Sequence, residues 1–187
     1  MSRGSPTAHP APPDRVETLT RPVPPGLRGD LCPVRAVMTT VLAVATPSWT
    51  LLAAVRAMRQ NRVSGLPVVD GEGRLVGVIS ERDLLWDLDR AVGIGHVRGF
   101  LDLLLELEGS STATRLENCL RRLEGGHVGE VMATPAVAIG PETTVAEASR
   151  ILRHRRFKRL PVVENGHLVG LVTQANLWDA YAAGGDA

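Results

Sequence analysis

Aromatic side chains are scarce, making up 3% of the 187 residues. A platform for single-stranded nucleic acid needs stacking rings in a basic groove. Here 21 Lys and Arg stand against 20 Asp and Glu, so no overall field draws a polyanion. Neither nucleic acid nor an acidic membrane surface is an expected partner. Cysteine is rarer still. Cys32 and Cys119 lie far apart with no CxxC spacing, which points to neither a disulfide framework nor a zinc site and leaves a reducing compartment, the cytoplasm, as the expected location. The longest apolar stretch, Val41 to Val55, contains Pro47, Ser48 and Thr50 and falls short of the roughly 20 residues a bilayer requires. Prolines stand where the apolar core of an export signal would be, so none is expected. His9, His96, His127, His154 and His167 are scattered without ligand spacing and read as surface or turn residues. No Gly-rich phosphate loop, HExxH or nucleophile elbow occurs, so no catalytic residue, catalytic cofactor or metal is expected, and the short flanks leave no room for a catalytic domain.

What is present begins with enough apolar content, 44%, to build a core. Residues 1–33 are dominated by Pro6, Pro10, Pro12, Pro13, Pro22, Pro24 and Pro25, with too little apolar surface to offset the entropy of ordering, so a disordered arm is expected. Beyond it the chain repeats itself. Val34-Arg-Ala-Val-Met38 matches Val128-Gly-Glu-Val-Met132, and the same offset carries Pro47 onto Pro141, Thr50 onto Thr144, Arg62 onto Arg156 and Leu66-Pro-Val-Val69 onto Leu160-Pro-Val-Val163. One residue is then lost in the second copy, after which Leu75-Val-Gly77 matches Leu168-Val-Gly170 and Leu84 matches Leu177.

Each copy reads alike. Thr144 followed by Glu147 forms a capping box, and Val145, Ala148, Ile151 and Leu152 recur at helical spacing to about Arg155. Leu51, Ala54, Val55 and Met58 make the equivalent stripe after Thr50. A β-branched run from Leu66 to Val69, a turn at Asp70-Gly-Glu-Gly73 and a second run from Leu75 to Ile79 predict a hairpin, with Glu164-Asn-Gly166 as the turn of the second copy. A further helix follows Ser80 or Thr173. The order is strand, helix, strand, strand, helix, and two half-domains too small to be stable alone are expected to pack as one.

These residues resemble the CBS domain, named after cystathionine β-synthase: two copies of Val-x-x-Val-Met, a Pro with a capped helix, Leu-Pro-Val-Val, Leu-Val-Gly and a closing Ser/Thr-x-x-Asp/Asn-Leu. The resemblance implies an α+β fold in which two pseudo-symmetric repeats pack through their sheets as a Bateman module. It further implies homodimerisation and clefts between the repeats that bind AMP, ADP, ATP or S-adenosylmethionine. The expected boundaries are 34–88 and 127–182 for the repeats, 89–126 for a helical insert and 183–187 for a flexible tail. The insert carries two amphipathic patterns, Phe100, Leu101, Leu104, Leu105 and Leu116, Cys119, Leu120, Leu123, separated by Gly109-Ser-Ser111. Packing over an edge of the core is expected of them, an oligomerisation or partner surface being the alternative.

By the resemblance, Ser80 and Asp83 hold phosphate and ribose. A carboxylate can accept from both vicinal hydroxyls, and a hydroxyl at a helix N-terminus can join backbone N–H groups on a phosphate. The same Ser-x-x-Asp is also close to a plain capping box. The second copy offers Thr173 and Asn176, an amide in place of the acid, which loses the charge-assisted contact. Val63, Ser64, Gly65, Leu66 and Pro67 correspond to the family's adenine-lining segment, matched by Lys158, Arg159, Leu160 and Pro161 in a basic stretch with His154, Arg155 and Arg156. That stretch is either a solvated helix end or, at Lys158 and Arg159, a phosphate contact. Thr40 and Thr134, with Ala43 and Val137, occupy positions that approach the ligand in some family members. The expected function is that of a ligand-responsive regulatory module acting on an unidentified protein; the alternative is a ligand-free dimeric scaffold.

Overall fold

The computed structural model describes residues 31–40, 42–92 and 112–183. The Pro-rich arm up to residue 30, the Phe100 to Leu105 pattern and the end of the tail lie outside the described residues. The fold is α+β. A 3-10 turn (Val34–Ala36) leads to α1 (Leu51–Asn61), β1 (Gly65–Val69), β2 (Leu75–Ser80) and α2 (Glu81–Val92). After the insert come α3 (Thr112–Gly125), α4 (Val128–Val131), α5 (Val145–Arg155), β3 (Arg159–Glu164), β4 (His167–Thr173) and α6 (Gln174–Ala183). The strands form two hairpins, β1 with β2 and β3 with β4.

Local chemistry explains the repeated helix. Thr50 Oγ1 accepts from the Ala53 amide at 3.1 Å and Thr144 Oγ1 from the Glu147 amide at 3.2 Å, each satisfying one of the donors a helix start leaves open. Both helices end on an arginine in the left-handed region, Arg62 (φ 53°) and Arg156 (φ 56°). The following amide then folds back, Val63 N–H to the Met58 carbonyl and Phe157 N–H to that of Leu152, both at 2.9 Å, closing a Schellman motif. The second hairpin turns through Asn165 (φ 51°) and Gly166 (φ 85°), the left-handed pair that a tight two-residue connection requires.

The leading strand expected in each copy is reduced to isolated bridges: Thr39 pairs antiparallel with Leu171, its counterpart Ala133 antiparallel with Val78, and Ile139 parallel with Val162. The long ladders are confined to the hairpins.

The described residues group into two compact units. The first holds 45–66, 79–92 and 112–132, and the second holds 31–44 apart from 41, 67–78 and 133–183. The opening residues of each repeat therefore fold within the unit that contains the long helix of the other. In the first unit Leu51, Ala54 and Met58 of α1, Leu84 and Leu88 of α2, Cys119 of α3 and Val128 of α4 are buried. The Val128 amide donates to the Trp49 carbonyl at 2.9 Å. In the second unit Cys32, Val34 and Val37 join one core with Val145, Ala148, Leu152, Leu160, Val162, Val172 and Leu177. The Val34 amide donates to the Thr143 carbonyl and the Val145 amide to that of Cys32, each at 2.8 Å.

Helix α3, the described part of the insert, packs against α1 and α2. It buries Cys119 but leaves Leu116 and Leu120 about half exposed, at 47% and 46%. Arg122 fastens it. Its Nε and Nη2 grip the two oxygens of Asp87 on α2 at 2.6 and 2.9 Å, and its Nη1 reaches Glu130 on α4 at 3.0 Å. The bond to Asp87 raises the guanidinium's already high pKa further, and the bond from Arg122 lowers that of Glu130.

Candidate functional site

In the first unit the end of β2 and the start of α2 bring Ser80 and Asp83 together. Asp83 Oδ2 accepts from the Ser80 amide at 2.8 Å and from Ser80 Oγ at 2.6 Å. Oδ2 of this carboxylate holds the cap, and Oδ1 takes part in neither of these bonds. The preceding segment lies against the cap. The Glu81 amide donates to the Ser64 carbonyl at 3.1 Å, and a Cβ placed on Gly65 would stand 2.8 Å from the Ile79 carbonyl oxygen and 3.3 Å from Ser80 Cβ. Glycine is required there by close approach of the backbone. Val63 and Ser64 are half-buried, while Leu66 and Pro67 are buried.

The second unit repeats the arrangement with an amide. Asn176 Oδ1 accepts from the Thr173 amide at 2.9 Å and from Thr173 Oγ1 at 2.7 Å, and the Asn176 amide donates back to Thr173 Oγ1 at 3.3 Å. Asn176 is buried, with 5% exposure. The two caps thus differ in charge and hardly at all in geometry. Arg159 is the cross-strand partner of Thr173, with Leu160 opposite Val172 and Pro161 opposite Leu171. Arg159 is half-buried, Lys158 is exposed, and Leu160 and Pro161 are buried.

The remaining candidates lie in the second unit. Thr134 is exposed and its hydroxyl donates to the Val76 carbonyl at 3.3 Å. Thr40 is exposed and follows Thr39, whose backbone exchanges two 2.9 Å bonds with Leu171. Ala43 is half-buried and Val137 exposed. The facing of Arg159 and Thr173 is the feature sequence reasoning missed, although the repeat offset already placed Arg159 in the column of Gly65. Among the described residues no group of three His, Cys, Asp or Glu side chains could hold a metal ion, and no helix is long and apolar enough to cross a membrane.

Comparison with known proteins places this geometry in a family. Relatives include the chloroplastic CBS domain-containing protein CBSX1 of Arabidopsis thaliana, 32% identical over 138 residues; the match covers 73% of this chain and 57% of CBSX1, so the chain spans little more than half of that relative's length. Among solved structures, the CBS domain of a CBS domain-containing membrane protein from Sphaerobacter thermophilus matches with a TM-score of 0.62 at 26% identity, covering 81% of this chain and 88% of that one. The structure of CBSX2 of Arabidopsis thaliana in complex with AMP matches with a TM-score of 0.58 at 28% identity, covering 81% of this chain and 96% of that one. The family model for the CBS domain matches residues 34–90 and 128–177, both copies of the repeat, and the chain belongs to the CBS-domain family.

Proposed function

We propose that this CBS-pair protein is a regulatory module that binds an adenosine compound, AMP, ADP, ATP or S-adenosylmethionine, and passes its occupancy to a protein partner without catalysing a reaction. The observation that carries the reading is the Ser80–Asp83 pair, seated against Ser64 and Gly65, in a fold shared with a CBS pair solved in complex with AMP. Asp83 receives the ribose hydroxyls, main-chain groups of 63–67 face the base, and Thr173 and Asn176 with Lys158, Arg159, Leu160 and Pro161 form the matching second site, approached by Thr40 and Thr134. Binding shifts the population toward the conformation that holds the ligand, by no more than the ligand's differential affinity for the two states. The reading includes a homodimer in the cytoplasm and repeat boundaries at 34–88 and 127–182. A ligand-free scaffold is the second reading, favoured by the neutral Asn176 and by the half-exposed Leu116 and Leu120 on α3.

Thermal unfolding of the full chain with each of the four compounds tests it. A ligand at one hundred times its dissociation constant adds about 2.7 kcal/mol. At roughly 2–4 °C per kcal/mol for a chain of this size, Tm rises by about 5–11 °C. In Asp83→Ala the rise, measured from the variant's own unliganded Tm, is lost. No shift with any of the four overturns the sensor and leaves the scaffold.

A further inference from the structure

We infer that the solvent face of each repeated helix, with Arg56, Arg59 and Arg62 on α1 and Arg150, Arg153 and Arg156 on α5, is a docking surface for an acidic helix of a partner protein. The inference stands whether or not a nucleotide binds elsewhere on the chain.

The two copies of the helix have diverged almost everywhere except on this face. Between 51–62 and 145–156 even buried columns have drifted, Leu51 to Val145 and Met58 to Leu152. The unchanged columns are buried Ala54 with Ala148 and the three arginine pairs, whose six side chains are all exposed. Packing accounts for the alanine and not for the arginines. Ion pairing within the chain does not account for them either. Among the described residues Arg56, Arg59, Arg62, Arg153 and Arg156 form no ion pair, and Arg150 comes no nearer an acid than 3.9 Å, to Glu147. A helix C-terminus attracts cations within its last turn. That covers Arg59 and Arg153, but neither Arg56 and Arg150 in mid-helix nor Arg62 and Arg156 beyond the helix end. These last two stand at φ 53° and 56°, a conformation that glycine takes without strain. Arginine is held there in both copies against the preference of the backbone.

The spacing selects the partner. Residues three apart are neighbours on a helix, so each row sets its arginines at intervals of about 4.5 Å along the axis, three steps of roughly 1.5 Å. Glutamates three and four residues apart on a partner helix repeat at a matching pitch, and each guanidinium fork can take one carboxylate through two parallel bonds. Lipid and nucleic acid fit less well. The apolar sides of α1 and α5 are taken up by the two cores, through Leu51, Ala54 and Met58 and through Val145, Ala148 and Leu152, which leaves nothing to insert between lipids. The aromatic residues next to these helices in the chain, Trp49 and Phe157, pack inward, so neither offers a base a ring to stack on.

Fluorescence anisotropy of a labelled peptide of repeated Glu-Ala-Ala-Glu units, titrated with the full chain without nucleotide, tests the assignment. Labelled oligouridine and vesicles of equal phosphatidylcholine and phosphatidylserine are the competing probes. Wild type is expected to bind the peptide more tightly than either, with an affinity that falls as salt rises. Arg56→Gln/Arg59→Gln/Arg150→Gln/Arg153→Gln removes two ion pairs from each row and weakens the peptide by about 3–30-fold, the range for exposed pairs. The control, Arg74→Gln/Arg82→Gln/Arg90→Gln/Arg121→Gln, removes the same charge elsewhere and changes it by less than about twofold. All the substituted side chains are exposed, so both variants are expected to fold. Peptide binding that is absent in wild type, unmoved by the first variant or weakened equally by both overturns the docking face. RNA or vesicles held more tightly than the peptide through the same four arginines overturn the acidic-helix partner. A lower sedimentation mass in the first variant, with peptide binding unaffected, assigns the rows to contact between copies of this chain and overturns it as well.

Discussion

Replacing Gly65 with alanine puts a single methyl group against the facing strand of the first hairpin. The new Cβ would lie 2.8 Å from the Ile79 carbonyl oxygen, 3.2 Å from Ser80 Cα and 3.3 Å from Ser80 Cβ. Two of these are backbone atoms of the paired strand and cannot rotate away, so β1 has to move by a few tenths of an ångström at the point where the Ser80–Asp83 cap begins. Overpacking of this kind costs about 1–3 kcal/mol. Alanine recovers roughly 0.4–1 kcal/mol by restricting the unfolded chain. The net loss of about 1–2 kcal/mol corresponds to a Tm lower by roughly 2–8 °C for a chain of this length. Gly71, at the hairpin turn, is the control: a Cβ there meets nothing within 4 Å. Urea denaturation followed by circular dichroism measures both variants, with an unchanged slope as the sign that stability alone has altered. If Gly65→Ala proves as stable as Gly71→Ala, the close approach does not exist in solution and the glycine requirement fails with it.

Arg122→Met strips the guanidinium from half-buried Asp87 and is expected to cost about 1–3 kcal/mol in chemical denaturation, the penalty of an unpaired polar group. The pH dependence follows with a definite sign. Arg122 lowers the folded-state pKa of Glu130, so that contribution is present above the ordinary carboxylate range and is lost as pH falls through the depressed folded value; denaturation midpoints of Arg122→Met should fall less steeply than wild type over that acidic window. Arg62→Gly relieves a left-handed non-glycine residue at the end of α1 and is expected to raise stability by about 0.5–1 kcal/mol, read as a higher Tm.

What could be read in the sequence was local. Thr50, Thr144 and the Asn165-Gly166 turn act within four residues of themselves, and each does what its chemistry predicts. The ends of the repeated helix and both hairpins follow from the same short-range rules. The tie between Arg122 and Asp87 joins residues 35 apart in the chain, and the amphipathic patterns of the insert between them mark apolar faces without announcing an ion pair. The register at Arg159 was hidden for a different reason. Counting back from the Asn-Gly turn through a regular ladder sets Arg159 opposite Val172, on the wrong face. A bulge between Val162 and Val163 shifts the pairing by one and brings it opposite Thr173. The candidate site was therefore legible as residue types in equivalent columns, and its charge asymmetry became an arrangement only once the bulge was known.

Because Val34 and Val37 complete a core belonging to the second repeat, and Val128 one belonging to the first, this fold is an internal domain swap. A lone ancestral repeat would have had to borrow its opening segment from another chain, a pairing that weakens on dilution. Joining two copies in one polypeptide replaces that requirement with a fixed effective concentration, on the order of millimolar for a short tether. It also frees the two copies to diverge, as Gly65 and Arg159 have.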